Sequence, residues 1–393
     1  MARVTGRYEK TAVGREVVAA FVPRALPPND APIQIEGALA QRLAAAERAL
    51  GLLELAADMV PSVDWFLYAF VRKEAVVSSQ IEGTQATLVD LLAFEAEEDE
   101  TPDADVEEIC NYVRALDYAR QQLADEAGLP LSTRLIHETH RRMMEGARGG
   151  TKLPGEVRRS QNWIGGTRPG NAVYVPPPPH LVPELLGALE RYIHEPKGLP
   201  SLVRAGLVHA QFESIHPYLD GNGRVGRLLV TLLFEHWKLL SRPVLYLSLF
   251  FKRHRSEYYR RLNAVRLEGA WEAWLDFFLE GVEVIAGEAV ASARALFAEV
   301  ADDRARVLSL GTTSVAALRL FELLPRRPIL TVASAVRLLD TTKPTAGRAI
   351  DALVDAGVLV ETTGKKRNRA FAYQAYLDLL RVGTELDDAP GSV

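Results

Sequence analysis

The chain has 393 residues, 48% of them hydrophobic and 25% charged, with a net charge of -5. That is ordinary soluble globular material, long enough for two or three domains and without a global pull toward nucleic acid or membrane. A single cysteine, Cys110, excludes an internal disulfide, no apolar run approaches the roughly 20 residues of a membrane span, and the first residues lack a signal-peptide core, so a cytoplasmic protein is expected.

In chain order, a leader containing Pro23, Pro27 and Pro28 precedes helical patterning that dominates from Ala38 to Leu92, with one helix over Trp65 to Ile81. At the end of that helix Ser78 and Glu82 fall one turn apart. A carboxylate at a helix C-terminus is disfavoured by the dipole, so Glu82 calls for a cation. The acidic stretch from Glu95 to Glu108 reads as a solvated connection, broken by Pro102 and Asp103. Helices follow at Val106 to Glu126, Thr133 to Glu145, Leu185 to Ile193, Leu202 to Ser214, Arg224 to Leu240 and Ser256 to Ala264. Among them, two short apolar runs around Arg168-Pro169-Gly170-Asn171 predict a hairpin over residues 162 to 175, the one extended segment expected before the C-terminal region. Pro176 to Pro179 is a rigid spacer. His137 and His140 form H-E-x-H rather than the H-E-x-x-H of a helical zinc site, and read as helix surface. His209 is expected to pack on its helix.

The last ninety residues change character. Ser314 to Leu324, Thr331 to Leu339 and Pro344 to Ala356 read as helices, and strands at Val358 to Glu361 and Ala370 to Tyr373 flank the basic run Lys365 to Arg369. Helix, turn, helix and basic hairpin resemble a winged helix. In DNA-binding use Lys343, Thr345 and Arg348 would face the groove while Lys365 to Arg369 meet phosphates; dimerisation and docking to a protein are the other uses of such a fold.

The densest chemistry lies at His216-Pro217-Tyr218-Leu219-Asp220-Gly221-Asn222-Gly223-Arg224-Val225-Gly226-Arg227. The spacing of Val225, Leu228, Leu229, Leu232 and Leu233 predicts a helix starting here, whose first N–H groups lack partners. Gly221 and Gly223 let those donors converge on an anion such as phosphate. Arg224 and Arg227 share one face and can fork onto phosphate oxygens. Asp220 is an oxygen ligand of the kind Mg2+ takes beside substrate phosphates, and His216 can accept a proton from a hydroxyl. Gly221 to Gly226 also spells G-x-G-x-x-G, but Pro217 and Glu213 stand where a central strand would be required, and no acidic residue lies between His236 and Ser256. A dinucleotide fold is therefore excluded, and no Walker-type G-x-x-x-x-G-K-[ST] occurs.

His216 to Arg227 resembles the H-P-F-x-D/E-G-N-G-R-x-x-R signature of Fic-domain proteins, with Tyr218 for the usual phenylalanine. Ser78 to Gly83 resembles the S/T-x-x-x-E-G/N inhibitory motif of the same family. The resemblance implies an enzyme that moves AMP from ATP onto a hydroxyl side chain of a protein. His216 would be the general base, Asp220 the ligand of Mg2+ (or Mn2+), Gly221 to Gly223 the phosphate cradle with Asn222 on the α-phosphate, and Arg224 and Arg227 the clamps for the outer phosphates. Val225 and Gly226 complete the nucleotide-binding run. Glu82 would pair with Arg227 and deny it to the γ-phosphate. The hairpin would be a flap that adds a strand of the target protein, with Ile164, Gly165, Gly166 and Thr167 touching the nucleotide, and Tyr258 and Tyr259 would cover the adenine.

The expected fold is mainly α: a helical region over residues 1–105 carrying the inhibitory helix, a catalytic core with a small β flap over 106–290, and a winged-helix-like domain over 305–393. Self-modification is an expected activity, DNA and a second copy of the chain are candidate partners, and no membrane contact is foreseen. A nucleotide-sensing DNA-binding regulator, or a phosphotransferase of the same fold, is the alternative.

Overall fold

The computed structural model describes residues 3–28, 31–59, 63–97, 101–146, 150–195, 198–309, 315–364 and 369–386. Its first element departs from the expectation of a plain leader. Strands β1 (Gly6–Val13) and β2 (Glu16–Pro23) pair antiparallel along their full length, Gly6 opposite Pro23 and Val13 opposite Glu16. Gly14, at φ 62°, permits the tight turn between them. Val18 and Ala20 of β2 bury against Val175, so the hairpin backs the flap region. Val17, Val18, Phe21 and Val22 carried the signal for a strand: β-branched and aromatic residues following a glycine.

Helices α1 (Gly37–Met59), α2 (Val63–Ile81), α3 (Leu88–Ala96) and α4 (Ala104–Ala124) come next. Thr87 and Asp90 form a reciprocal capping box at the start of α3, and the Asp103 carboxylate accepts from the N–H groups of Asp105 and Val106 to start α4. The acidic stretch expected as a connection is non-helical at Glu97 and over residues 101–103, while its two ends belong to α3 and to the first turn of α4. Beyond it lie α5 (Thr133–Met143), α6 (Val182–His194), α7 (Ser201–Ile215), α8 (Asn222–His236), α9 (Ser248–Arg253) and α10 (Arg255–Glu268). Every residue of α7 from Leu202 to Ile215 is buried. It is the central rod against which α6, α8, α10 and α11 (Trp271–Ser309) pack.

Helix α11 is 39 residues long and runs beside α1. It passes unbroken through the boundary expected between residues 290 and 305, so the two regions are joined by helix rather than by a linker. Then come α12 (Val315–Leu323), β3 (Ile329–Thr331), α13 (Val332–Leu339), α14 (Lys343–Asp355), β4 (Val360–Glu361), β5 (Ala370–Ala372) and α15 (Gln374–Leu380), the strands forming an antiparallel sheet in the order β3-β5-β4. Of the basic hairpin, residues 365–368 lie outside the described residues. A continuous apolar core extends from Leu26 to Leu380, including residues of both regions. The C-terminal unit grips α2 at both ends, through an Arg326–Asp64 ion pair and through the Thr384 carbonyl, which accepts from Gln80 Nε2 at 2.8 Å. Among the described residues no helix is long and apolar enough to cross a membrane.

Candidate active site

Helix α7 ends at His216, whose backbone turns left-handed with φ 48° and ψ 63° while its N–H still closes onto the Phe212 carbonyl at 2.9 Å. A non-glycine residue in this region is costly and has to be held there by its surroundings. The loop then reverses direction and α8 begins at Asn222, with Gly221 as its left-handed N-cap at φ 77°. Position 221 has no room for a side chain, since a Cβ would lie 2.7 Å from Met144 Sδ. The start of α8, whose first-turn N–H groups have no partner within the helix, therefore follows His216 by six residues, an arrangement open to an anion.

The side chains in this loop divide between holding the backbone and facing the cleft. Asn222, expected on a phosphate, instead closes the loop: its Oδ1 accepts from Tyr218 N at 2.8 Å and its Nδ2 donates to Tyr218 O at 2.9 Å. The amide thus braces the loop, and its second Nδ2 hydrogen and its backbone N–H are the donors left for an anion. Val225 is buried, and Gly226 packs on α7, where a Cβ would meet Glu213 Oε1 at 2.5 Å. These two belong to the helix–helix contact rather than to the cleft. Asp220 keeps its side chain half exposed, with Oδ1 accepting from Gly221 N at 2.6 Å and lying 3.7 Å from Arg224 Nη2. An accessible carboxylate beside an anion cradle suits a cation that also takes phosphate oxygens.

Both arginines are engaged. Arg227 donates through Nε to Ser78 Oγ at 3.0 Å, through Nη2 to the Ser78 carbonyl at 2.9 Å, and through Nη2 to Glu82 Oε1 at 2.7 Å. Burial works against its charge, but the Glu82 carboxylate together with Tyr258, Tyr259 and Glu213 outweighs burial and raises its pKa. Glu82 reaches Arg227 only because position 223 is glycine, where a Cβ would sit 2.2 Å from Glu82 Oε1. The Glu82 carboxylate therefore lies over the first turn of α8. Arg224 pairs through Nη1 with Glu108 Oε1 of α4 at 2.8 Å, and the same oxygen accepts from Thr84 Oγ1 at 2.7 Å. Glu108 had been read only as the end of an acidic connection.

Two histidines expected on the helix surface face this loop instead. His140 is fully buried, stacks on Tyr218 at a centroid distance of 3.6 Å, and bridges Gly155 N and Asp220 O. His137 Nδ1 meets the Tyr218 hydroxyl at 2.8 Å. The hydroxyl by which Tyr218 departs from phenylalanine thus has a partner. Their spacing of three puts both rings on the one face of α5 that covers the loop.

His216 is half-buried, and desolvation, Arg266 and Arg158 together push its pKa down to about 3. The imidazole is therefore neutral at physiological pH, the form that carries a nitrogen lone pair able to accept a proton. Arg266 of α10 stacks on Tyr174 at 3.8 Å and donates to Ser214 Oγ at 3.2 Å and to Glu213 O at 3.1 Å. Neither arginine was singled out from the sequence.

The flap is less regular than a hairpin. Ile164 and Tyr174 form one antiparallel bridge, Gly165 and Gly166 take φ 66° and 74°, and the Asn171 side chain accepts from the N–H groups of Thr167 and Arg168 at 3.0 Å. Its Tyr174 hydroxyl docks on the Ser214 carbonyl at 2.5 Å. Of the two tyrosines expected over a base, Tyr258 is fully buried, stacked on Phe251 with its hydroxyl 2.8 Å from His209 Nε2, so its ring is closed to a nucleotide. Tyr259 remains 41% exposed.

Residues 40–121 match the family described as Fic/DOC family N-terminal, and residues 130–234 match the Fic/DOC family. The chain is 28% identical over 179 residues to a "Probable protein adenylyltransferase" of Aquifex aeolicus, covering 45% of this chain and 51% of that one. It is 30% identical over 181 residues to the protein adenylyltransferase Fic of Drosophila grimshawi, covering 45% and 33%. The chain thus spans between about a third and about a half of the length of these relatives. A Fic family protein from Desulfovibrio desulfuricans superposes with a TM-score of 0.57 at 20% identity, covering 87% of this chain and 97% of that one. A Fic domain containing signaling protein from Bacteroides thetaiotaomicron gives 0.52 at 18% identity, covering 63% and 95%. At these identities the likeness is one of fold. With the helical architecture, the loop at His216 and both family matches in agreement, residues 40–121 and 130–234 carry the Fic/DOC domain of this chain.

Proposed function

We infer that the chain is a protein adenylyltransferase restrained by its own Glu82. The observation that carries this reading is the joint placement of a neutral, half-buried His216 and of Arg227 held by Ser78 and Glu82 at the N-terminus of α8. A target hydroxyl loses its proton to His216 as its oxygen attacks the α-phosphorus of ATP. The bond to the bridging oxygen of the β-phosphate breaks, pyrophosphate leaves, and AMP remains on the target as a phosphodiester. The N–H groups at the start of α8 receive the α-phosphate oxygens. Asp220 fits a Mg2+ ion shared with the substrate phosphates, which would neutralise charge on the departing pyrophosphate. Ile164, beside the flap glycines, offers strand edge to an extended segment of target.

In the restrained state Glu82 holds the guanidinium that the γ-phosphate needs, so nucleotide sits unproductively until the end of α2 withdraws. The test is label transfer by Glu82→Gly in Mg2+ with ATP labelled at the α- or the γ-phosphate, with His216→Ala in the same background as control. Self-modification makes the readout independent of the target. Label from the α position alone, lost with His216, is expected; label from γ would mean phosphoryl transfer, and none from either would remove the reading.

A second activity has its own support. Lys343 and Arg348 are exposed on α14, the helix that follows the turn in a winged-helix arrangement. Duplex DNA binding that weakens steeply with salt and survives His216→Ala would favour it.

A further inference from the structure

Arg158 is 1% exposed, yet among the described residues no carboxylate pairs with it. Burial pushes its pKa down to about 10. A buried guanidinium without an acid is expensive, and it persists only where other groups answer each of its donors. Here the partners are all carbonyls. Nε donates to His216 O at 2.9 Å, Nη1 to Ser160 O at 3.5 Å and Nη2 to Pro177 O, while the Arg158 backbone N–H donates to Pro217 O at 3.0 Å.

These four acceptors come from three places. His216 and Pro217 are the start of the catalytic loop, Ser160 is the root where the chain enters the flap, and Pro177 is the root where it leaves. Neighbouring contacts tie the same pieces: Asn162 Nδ2 donates to Tyr218 O at 3.0 Å, and Gln161 Nε2 donates to Pro176 O at 2.8 Å. Arg158 also contacts the carbonyl of the very residue whose left-handed backbone needs support. The planar fork of arginine can bridge several carbonyls in fixed directions, which a lysine cannot.

We propose that Arg158 is a positioning residue for the transfer reaction: it locks the backbone of His216 and both roots of the flap into one body, fixing the base relative to the strand that presents the target hydroxyl. The proposal rests on the adenylyl-transfer reading. It assigns Arg158 two separable effects, geometry through the fork and charge through proximity to the imidazole. The charged and titratable groups around that imidazole are Arg158 before the flap, Arg266 from α10, Glu213 one turn earlier on α7 and Tyr174 from the flap. The positive charges favour its neutral form, so removing one moves its protonation midpoint up toward the ordinary 6.5.

In the full-length Glu82→Gly protein, Arg158→Lys and Arg158→Gln are compared by self-labelling from α-labelled ATP, ATP affinity by calorimetry, thermal melting, and the rate between acid and neutral pH. Both variants should lose on the order of 10- to 100-fold in turnover, with ATP affinity little changed, because misplacing a base by a fraction of an ångström acts on the chemical step. Only Arg158→Gln should shift the acid limb of the rate profile to higher pH, since Arg158→Lys keeps the charge. Arg159→Gln, an exposed neighbour paired only with Glu156, should match the parent. If Arg158→Gln does not fold, Tyr174→Phe tests the same docking through the Tyr174–Ser214 contact and should lower turnover less, again without loss of ATP binding. Arg158→Gln with parental turnover and an unmoved acid limb would overturn the proposal alone. A Glu82→Gly parent that transfers no label would overturn the adenylyl-transfer reading and this proposal with it.

Discussion

Arg227 and Arg158 are both buried guanidiniums within reach of one catalytic loop, and they are satisfied in opposite ways. Arg227 meets a carboxylate whose side chain is 34% exposed, so an anion arriving from solvent can take over its contact without leaving a charge unpaired. Arg158 meets only carbonyls from the loop and the flap roots, and no incoming ligand offers a substitute for all of them. On the proposed reading the first contact is exchangeable and the second is scaffolding. The difference lies in the partner's chemistry and exposure rather than in the arginine. A phosphate can replace Glu82 because it presents the same charge and the same acceptor oxygens.

The largest effects should come from the chemistry that this arrangement serves. His216→Ala in the Glu82→Gly background should lower label transfer on the order of 1,000-fold or more, since general-base assistance is worth about that much. ATP affinity should be little changed, because in the proposed reaction the imidazole takes the hydroxyl proton and does not hold the phosphates; calorimetry beside the labelling assay checks this, and substantial residual transfer would remove His216 from its role. Glu82→Gly alone should raise transfer about 10- to 100-fold. A charge-assisted hydrogen bond to a buried partner is worth about 1.5–3 kcal/mol, and that contact is present only in the restrained state. Equal rates for wild type and Glu82→Gly would mean that the Glu82–Arg227 pair is structural and that the comparison with Arg158 collapses.

The parts of this site legible in the sequence were those whose chemistry is local. His216, Asp220, Gly221, Gly223, Arg224 and Arg227 fall within a dozen residues, and Ser78 and Glu82 are one helical turn apart, so spacing alone placed each set on one surface. The parts that stayed hidden depend on long-range contacts. Arg158 and Arg266 bond to backbone carbonyls, which every residue carries, so no pairing pattern marks their partners. His137 and His140 looked solvent-facing because only the folded loop shows that Tyr218 covers their face of α5. Tyr258 failed for a related reason: an adjacent tyrosine pair on a helix points in two directions, and the sequence does not say which ring turns inward. In α11 the helical signal was present, but its length obscured where one region ends and the next begins. The β1–β2 hairpin was readable from its valines and from Gly14, and went unread because a proline-containing start suggests a leader.

Smaller changes sharpen the contrast by loosening the exchangeable contact in steps. Ser78→Ala removes one of three hydrogen bonds to Arg227 and leaves the carboxylate in place, so transfer should rise by about 3- to 10-fold, the worth of one ordinary hydrogen bond of about 0.5–1.5 kcal/mol. A rise as large as that of Glu82→Gly would mean that the hydroxyl rather than the acid restrains Arg227.

The smallest effect belongs to Gln80, which lies between these two residues and touches neither ATP nor Arg227 by any contact described. Its Nε2 donates to Ala86 O at 2.9 Å and to Thr384 O at 2.8 Å, and its Oε1 accepts from Lys252 Nζ at 2.9 Å. Lys252 Nζ donates in turn to Glu385 O at 2.5 Å. The end of α2 is therefore strapped to the segment that follows α15, and the turn carrying Glu82 is held from behind as well as from the front. Gln80→Ala removes the strap without altering any group at the cleft. If the strap favours the restrained position, transfer should rise about 2- to 5-fold, in line with one or two ordinary hydrogen bonds, and the gain should vanish in the Glu82→Gly background because there is no restraint left to loosen. A gain that persists in the double variant would place Gln80 outside the Glu82 contact. An unchanged rate in the single variant would mean that the tail only packs against α2, and that the exchange at Arg227 is governed by the carboxylate alone.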